Sequence, residues 1–499
     1  MNASDTTTAP RRPATAWPLE NALISAALAA QRVSWIDAPA RALGLKPFTR
    51  QHLTRQVLAQ LRRTTSGRPT RLRTAFGTFL MPLSAADAAG LIRGADEADA
   101  GGTVTALTAE GRRLRLTPHV TLPVPLDALH VQMRAAVGEE AAAIHAGRHT
   151  DGSIARADWC AHTARLARRI VLGDGAADDS LVSAILEATA RSDDSTEYAA
   201  RAAALRRRLD PYVHDAHPGG LAAADLTDDT RDAVLEHALE TVTRALTDTA
   251  SQALALVTVQ PLMPNTDRTE RAEEADRTER AEGAERAVSE ALHRYPPLAA
   301  TVHEIRAPFA WHDLTVATGT EILCATAWLR DLDETQGHGD DPSVSLCAAP
   351  APCAAAELAV LAATELVRAL TQHAEPIVLA PHLTPDALPA TLPAASLRIA
   401  LADADHPAGH PPHGAGARPV ADGYVPPSAG QSPAHYAALT AAGARSLDEH
   451  ARKLADCAHQ PGWNHDAFGE HCRMTLLAHA ERCARAAADA RRAADWLTN

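Results

Sequence analysis

The sequence predicts a mainly α protein with small β-sheets, and three observations carry that expectation. Between His130 and Asp248 apolar residues recur at three- and four-residue steps, the period of helices with one buried face. The stretch from Asp228 to Pro261 runs for more than thirty residues with no Gly and no Pro until its end, and a helix that long normally crosses the core. Strand signals, by contrast, are short and few. RLRTAFGTFLMPL reads as a strand pair, Leu314–Val316 and Glu321–Cys324 as short strands, and Ile377–Leu379 with the alternating Leu397, Ile399 and Leu401 as two more.

Composition bounds the function. The 499 residues carry 61 Asp and Glu against 48 Lys and Arg, and a net charge of -13 argues against a nucleic-acid partner. Seven cysteines without paired spacing make no disulfide framework and point to a reducing, cytoplasmic setting. The first apolar run, ALISAALAA, is short and follows no signal-peptide pattern, and no window reaches the apolar length that spans a bilayer.

Composition also divides the chain. Residues 1–15 read as a disordered tail and 16–405 as the main domain. Within it, 264–287 is a charged insert in which DRTERAE occurs twice, expected as a solvated helix or a disordered loop. Arg112, Arg113 and Arg115 form a basic cluster, expected on a turn. Residues 406–431 are a Pro/Gly linker whose His406, His410 and His413 sit on chain too flexible to fix a metal. Residues 432–499 form a helical unit with Trp463, Phe468, Leu476, Leu477 and Trp496 to bury, against the main domain, a partner enzyme or a second subunit. Its Cys457, His459, His471, Cys472, His479 and Cys483 are residue types zinc accepts, but their spacing fits no tight zinc motif, and packing is the expected role.

One stretch carries chemistry. SVSLCAAPAPCAAAELAVLAATELVRAL, Ser343 to Leu370, is an Ala/Pro loop that turns into a helix marked by Leu358, Leu361, Ala362, Leu366 and Leu370. Cys353 stands just before that helix. The helix dipole there lowers a thiol's pKa, and the thiolate is the form that binds a metal. The small residues of the loop leave little bulk between the sulfur and a flat cofactor.

With its surroundings, this stretch resembles the cytochrome P-450 family of haem-thiolate monooxygenases over roughly residues 16–405. EALHRYPP resembles the family's helix K, with Glu290 as the Glu of Glu-x-x-Arg; LTVATGTEILCATAWLRD resembles the strand pair that follows; SLCAAPAPCAAAEL resembles the Cys loop and helix L. The resemblance implies a P-450-like fold, haem b, and Cys353 as the axial ligand to its iron, with Leu346 where the family usually has Phe and Cys347 as the next thiol to test. The helix ending at Pro261 would be helix I, and TARLARRIVLGDG the helix before the family's Gly-Asp turn.

The chain departs from the family where haem is held and used. His293 replaces the Arg of helix K, and Arg294 follows one residue on, displaced around the helix. His303 takes the place of a propionate-binding Arg, while Arg112, Arg113, Arg115 and Arg306 are candidate substitutes. Ala349 and Ala355 replace loop glycines, and Ala351 replaces another propionate-binding cation. The acid and threonine of the proton path fall on Arg244 and Ala245; Glu240 with Thr241 or Thr243 could substitute one turn earlier. Two functions follow as expectations. The first is a monooxygenase that oxidises a small apolar metabolite with O2 and electrons from a ferredoxin-type partner. The second is a degenerate, haem-poor relative that acts as a non-catalytic partner of another enzyme.

Overall fold

In the computed structural model, the described residues are, with a few interruptions, 13–30, 50–108, 113–259, 270–325, 328–329, 332, 345–403 and parts of 444–492. The chain divides into two units, Met1–Ala404 and Asp405–Asn499. Each buries its own residues.

The first unit begins with β1 (Ala14–Thr15), α1 (Pro18–Ala30), α2 (Arg50–Thr65), β2 (Thr70–Thr74), β3 (Gly77–Met81) and α3 (Ala85–Glu97). RLRTAFGTFLMPL forms the β2–β3 hairpin, antiparallel in register Thr70↔Met81 through Thr74↔Gly77. Ser84 caps α3, its hydroxyl accepting from the Asp87 N–H at 3.0 Å. β4 (Gly101–Thr108), β5 (Arg113–Arg115), β6 (Leu298–Ile305), β7 (Phe309–Trp311), β8 (Leu314–Val316) and β9 (Glu321–Cys324) follow, interrupted by helices. One seven-stranded sheet runs in the order β1-β2-β3-β9-β6-β4-β5. Its core is Leu72, Phe79, Met81, Leu91, Ile92, Val302, Ile322 and Leu323.

One expectation changes here. Arg113 and Arg115 belong to a strand, because β5 pairs with β4 from Thr105↔Arg115 to Leu107↔Arg113; Arg112 lies outside the described residues. β4 itself, GGTVTALT, carries too little apolar alternation to be read as a strand, and its pairing with β6 decides it.

The helical half comprises α4 (Asp127–Ala146), α5 (Arg156–Leu172), α6 (Ser180–Ala190), α7 (Ser195–His214), α8 (Asp228–Arg244), α9 (Ala250–Val257), α10 (Glu270–Arg294) and α11 (Ala354–His373). α8 and α9 are the long expected helix, joined by a π-helical turn at Ala245–Thr249. That turn leaves the Thr247 carbonyl to accept from Trp159 Nε1 at 3.0 Å and Arg156 Nη1 at 3.2 Å, so α5 is fastened where the helix widens. α8 is buried nearly all round, by Val234, Leu235, Ala238, Leu239 and Val242 and also by Glu236, His237, Glu240 and Thr241. Such a helix needs partners for its polar groups. It packs on α5 and α11.

α10 absorbs part of the charged insert and the Glu290 motif into one helix. Glu290 pairs with Arg294 in the same helix: one turn on is the adjacent position, so Arg294 is not displaced to the wrong side. β10 (Ala374–Ala380) and β11 (Arg398–Asp403) form a separate antiparallel pair from the two predicted segments. α5 ends at Gly173, whose φ of 91° and close approach to His217 exclude a side chain.

In the second unit, described helical positions bury Ala444, Ala451 and Ala458, and Ala480 and Ala487, at steps of seven. Arg491 pairs with Asp448. No helix among the described residues is long and apolar enough to cross a membrane.

Candidate metal centre

Cys353 precedes α11 as its N-cap, with extended backbone, and its carbonyl accepts the Glu357 N–H at 2.9 Å. Its sulfur faces α8, where His237 Nε2 lies 3.4 Å away. The same nitrogen is 3.5 Å from Cys347 Sγ, and Cys347 Sγ is 3.7 Å from Nδ1 of His119, in the segment after β5. The four donor atoms of His119, His237, Cys347 and Cys353 all lie within 4.8 Å of one another. Cys347, Cys353 and His237 are buried, and the two imidazole rings meet edge to face.

The donors are oriented from behind. Thr117 Oγ1 gives its one proton to Glu240 Oε2 at 2.5 Å, and its backbone N–H donates to the same oxygen at 2.8 Å. The 3.2 Å contact between Thr117 Oγ1 and His237 Nδ1 must therefore be an N–H donated by the ring, because the hydroxyl proton is already used. With its Nδ1–H turned to Thr117, His237 presents Nε2 to the two sulfurs. Glu240 also pairs with Arg244, whose Nη1 donates to the Leu346 carbonyl at 2.6 Å, next to Cys347. One chain of polar contacts thus runs from His237 through Thr117, Glu240 and Arg244 to the Cys loop. Hydrogen bonding from Cys347, with smaller help from His119 and His237, holds the Cys353 thiol well below its ordinary range against the opposing effect of burial.

The haem implied by the resemblance does not fit these residues. A macrocycle carried by Cys353 would need a metal–sulfur bond on one face and about 3.5 Å of van der Waals contact on the other. The 3.4 Å between Cys353 Sγ and His237 Nε2 leaves room for neither. The Cβ of Ala355 is likewise fully buried where a loop glycine would let a porphyrin approach.

The other expected site residues are dispersed. His303 sits inside β6 opposite Val104 and Ile322, with Thr301 Oγ1 at 3.0 Å, and burial lowers its pKa to about 4. It is sheet core and offers nothing to a propionate. Arg306 is exposed beside Asp99 at 3.9 Å. Arg115 lies over the Tyr198 ring at 5.1 Å and lines a cavity of about 220 Å³ with Thr103, Thr105, Glu304 and Glu321, which contains none of the four donors. Glu240 and Leu346 stand behind the donors as described, whereas Thr241 bonds its own helix at the His237 carbonyl, 2.8 Å away, and Thr243 is half-buried. Glu290 and His293 belong to α10. Of the C-terminal His and Cys residues only His459 is described, its Nδ1 2.7 Å from the Ala455 carbonyl; His406, His410, His413, Ala349 and Ala351 also lie outside the described residues.

No family model matches this sequence, and no curated protein does. Among solved structures the chain is similar to the retinoic acid-bound cyanobacterial CYP120A1, with 13% identity over 79% of this chain and 100% of that one and a TM-score of 0.44. It is also similar to CYP108D1 from Novosphingobium aromaticivorans, with 12% identity over 70% of this chain and 94% of that one and a TM-score of 0.43.

Sequence reasoning singled out Cys353 and kept Cys347 in reserve, but it missed both histidines. His237 lies one turn before Glu240 on the helix already chosen for chemistry, and a polar run in so long a buried helix was the available signal. His119, in a strandless stretch of LTPHV, carried none.

Proposed function

We propose that this chain is a haem-free relative of the P-450 fold and serves as a non-catalytic partner of another protein, not as an oxygenase. The observation that carries the reading is the contact of His237 Nε2 with Cys353 Sγ at 3.4 Å, which fills the space between the helices that a cofactor would need. The dispersal of the propionate-side candidates supports it. Arg306 is solvent-exposed, Arg115 is engaged with Tyr198, and His303 is closed inside the sheet. The proton-path candidates support it as well, since Glu240 is committed to Thr117 and Arg244, and Thr241 to its own backbone.

The test is expression of the full chain with a haem precursor, followed by haem assay and a reduced-CO difference spectrum. The expected result is less than a tenth of an equivalent of haem and no band near about 450 nm, the signature that thiolate ligation would give. Mixing with a ferredoxin and its reductase should then add no oxygen consumption. A full equivalent of haem with that band would overturn the reading and restore the monooxygenase with its ferredoxin-type donor and small apolar substrate.

A further inference from the structure

We propose that His119, His237, Cys347 and Cys353 bind one zinc ion in a closed, structural, tetrahedral site. Zinc–sulfur bonds of about 2.3 Å and zinc–nitrogen bonds of about 2.05 Å at tetrahedral angles place sulfur and nitrogen donors about 3.6 Å apart. Three of the four sulfur–nitrogen separations here are 3.4, 3.5 and 3.7 Å, and the fourth, Cys353 to His119, lies within 4.8 Å. Two thiolates and two neutral imidazoles are a donor set that zinc prefers, and four protein ligands leave no open position for substrate. With both sulfurs bound as thiolates and both imidazoles neutral, the ion and its ligands together carry no net charge, as a buried site demands.

The polar chain behind the donors fits this role. The ring N–H that His237 gives to Thr117 fixes the tautomer whose other nitrogen faces the sulfurs, and Glu240 holds Thr117 in turn. This is the carboxylate-backed support that metal-binding histidines commonly have. The ion would join the segment after β5, the centre of α8 and both ends of the Cys loop, which are distant in sequence and otherwise held together by packing, the Thr117–Glu240 hydrogen bonds and the Arg244 bridge. The site would thus stand where the fold's relatives keep a cofactor, and stabilise the helices in its place.

The inference rests on the haem-free reading, because zinc and haem iron would need the same sulfur. Zinc by elemental analysis and haem by pyridine haemochrome are therefore measured on one sample of untagged full chain. One zinc per chain without haem is the expected result. Neither metal, or a Cys347–Cys353 disulfide, would overturn the zinc site while leaving the haem-free reading intact; haem without zinc would overturn both. Cobalt exchanged into the site should show strong sulfur-to-cobalt charge transfer, weakened in Cys347→Ser and in Cys353→Ser and unchanged in Cys324→Ser. Zinc retained at full occupancy in both variants would place the metal elsewhere and refute the assignment. Should those variants fail to fold, Thr117→Val leaves every ligand in place. It should weaken zinc about 10–100-fold in chelator competition, the usual cost of losing an outer-shell partner. An unchanged affinity would count against the site.

Discussion

The sheet and the helical half each bury one cysteine–histidine set, and the two behave in opposite ways. In the sheet, burial alone pushes the Cys324 thiol on β9 up to about 12 and the His303 imidazole on β6 down to about 4, so both stay neutral. At α8 and α11, Cys353 is buried as deeply, yet its thiol is held low because Cys347, His119 and His237 converge on it. Burial of a reactive side chain is therefore no mark of a site. Convergence of donors, with a second layer of polar groups orienting them, is.

The largest effect that would test this contrast comes from emptying one side of it. His237→Ala should abolish metal retention and lower stability by about 4 kcal/mol when free zinc is about a thousandfold above the dissociation constant, read by urea denaturation with and without chelator. Chelator should have no further effect on the variant. Next in size, Glu240→Ala strips Arg244 of its carboxylate while both side chains are about nine-tenths buried, at 10% and 11% exposure. A loss of about 3 kcal/mol is expected, at the low end for a broken buried pair because the Leu346 carbonyl still accepts from Arg244. Glu240→Gln should cost less, and equal costs would show that charge is not what matters there.

The sheet supplies a pH test of comparable size. His303 has a folded pKa of about 4, below its ordinary 6.5, so the unfolded chain binds the extra proton between those values and stability rises with pH there. Its contribution is intact above about pH 6.5 and is lost as pH falls toward about 4, by on the order of 3 kcal/mol. His303→Leu should flatten that part of the stability–pH curve relative to the parent, and an unchanged slope would show the imidazole is not closed off. The smallest effect belongs to Arg306→Ala. An exposed pair at 3.9 Å from Asp99 predicts a change within about 0.5 kcal/mol and no change in bound metal.

Much of the fold was legible because its signals are local. The periodicity of α5, α8 and α11, the β2–β3 hairpin and the β10–β11 pair follow from residue patterns spanning a few turns or a few alternations. β4 and β6 were not legible: Gly, Thr and Ala carry little alternation, and only pairing across the sheet makes them strands. The same division runs through the centre. Sequence placed Cys353 at a helix start, a local fact. It could not place His119 beside Cys347, since 228 residues separate them.

By itself, then, the sequence determined a helix-rich chain, a thiol at the head of a buried helix and a polar run in α8. Only the tertiary structure decided what faces that thiol. Helix packing brings the α8 imidazole to the sulfur and closes the gap between them, and side-chain contacts across hundreds of residues leave no periodic trace in the chain that makes them.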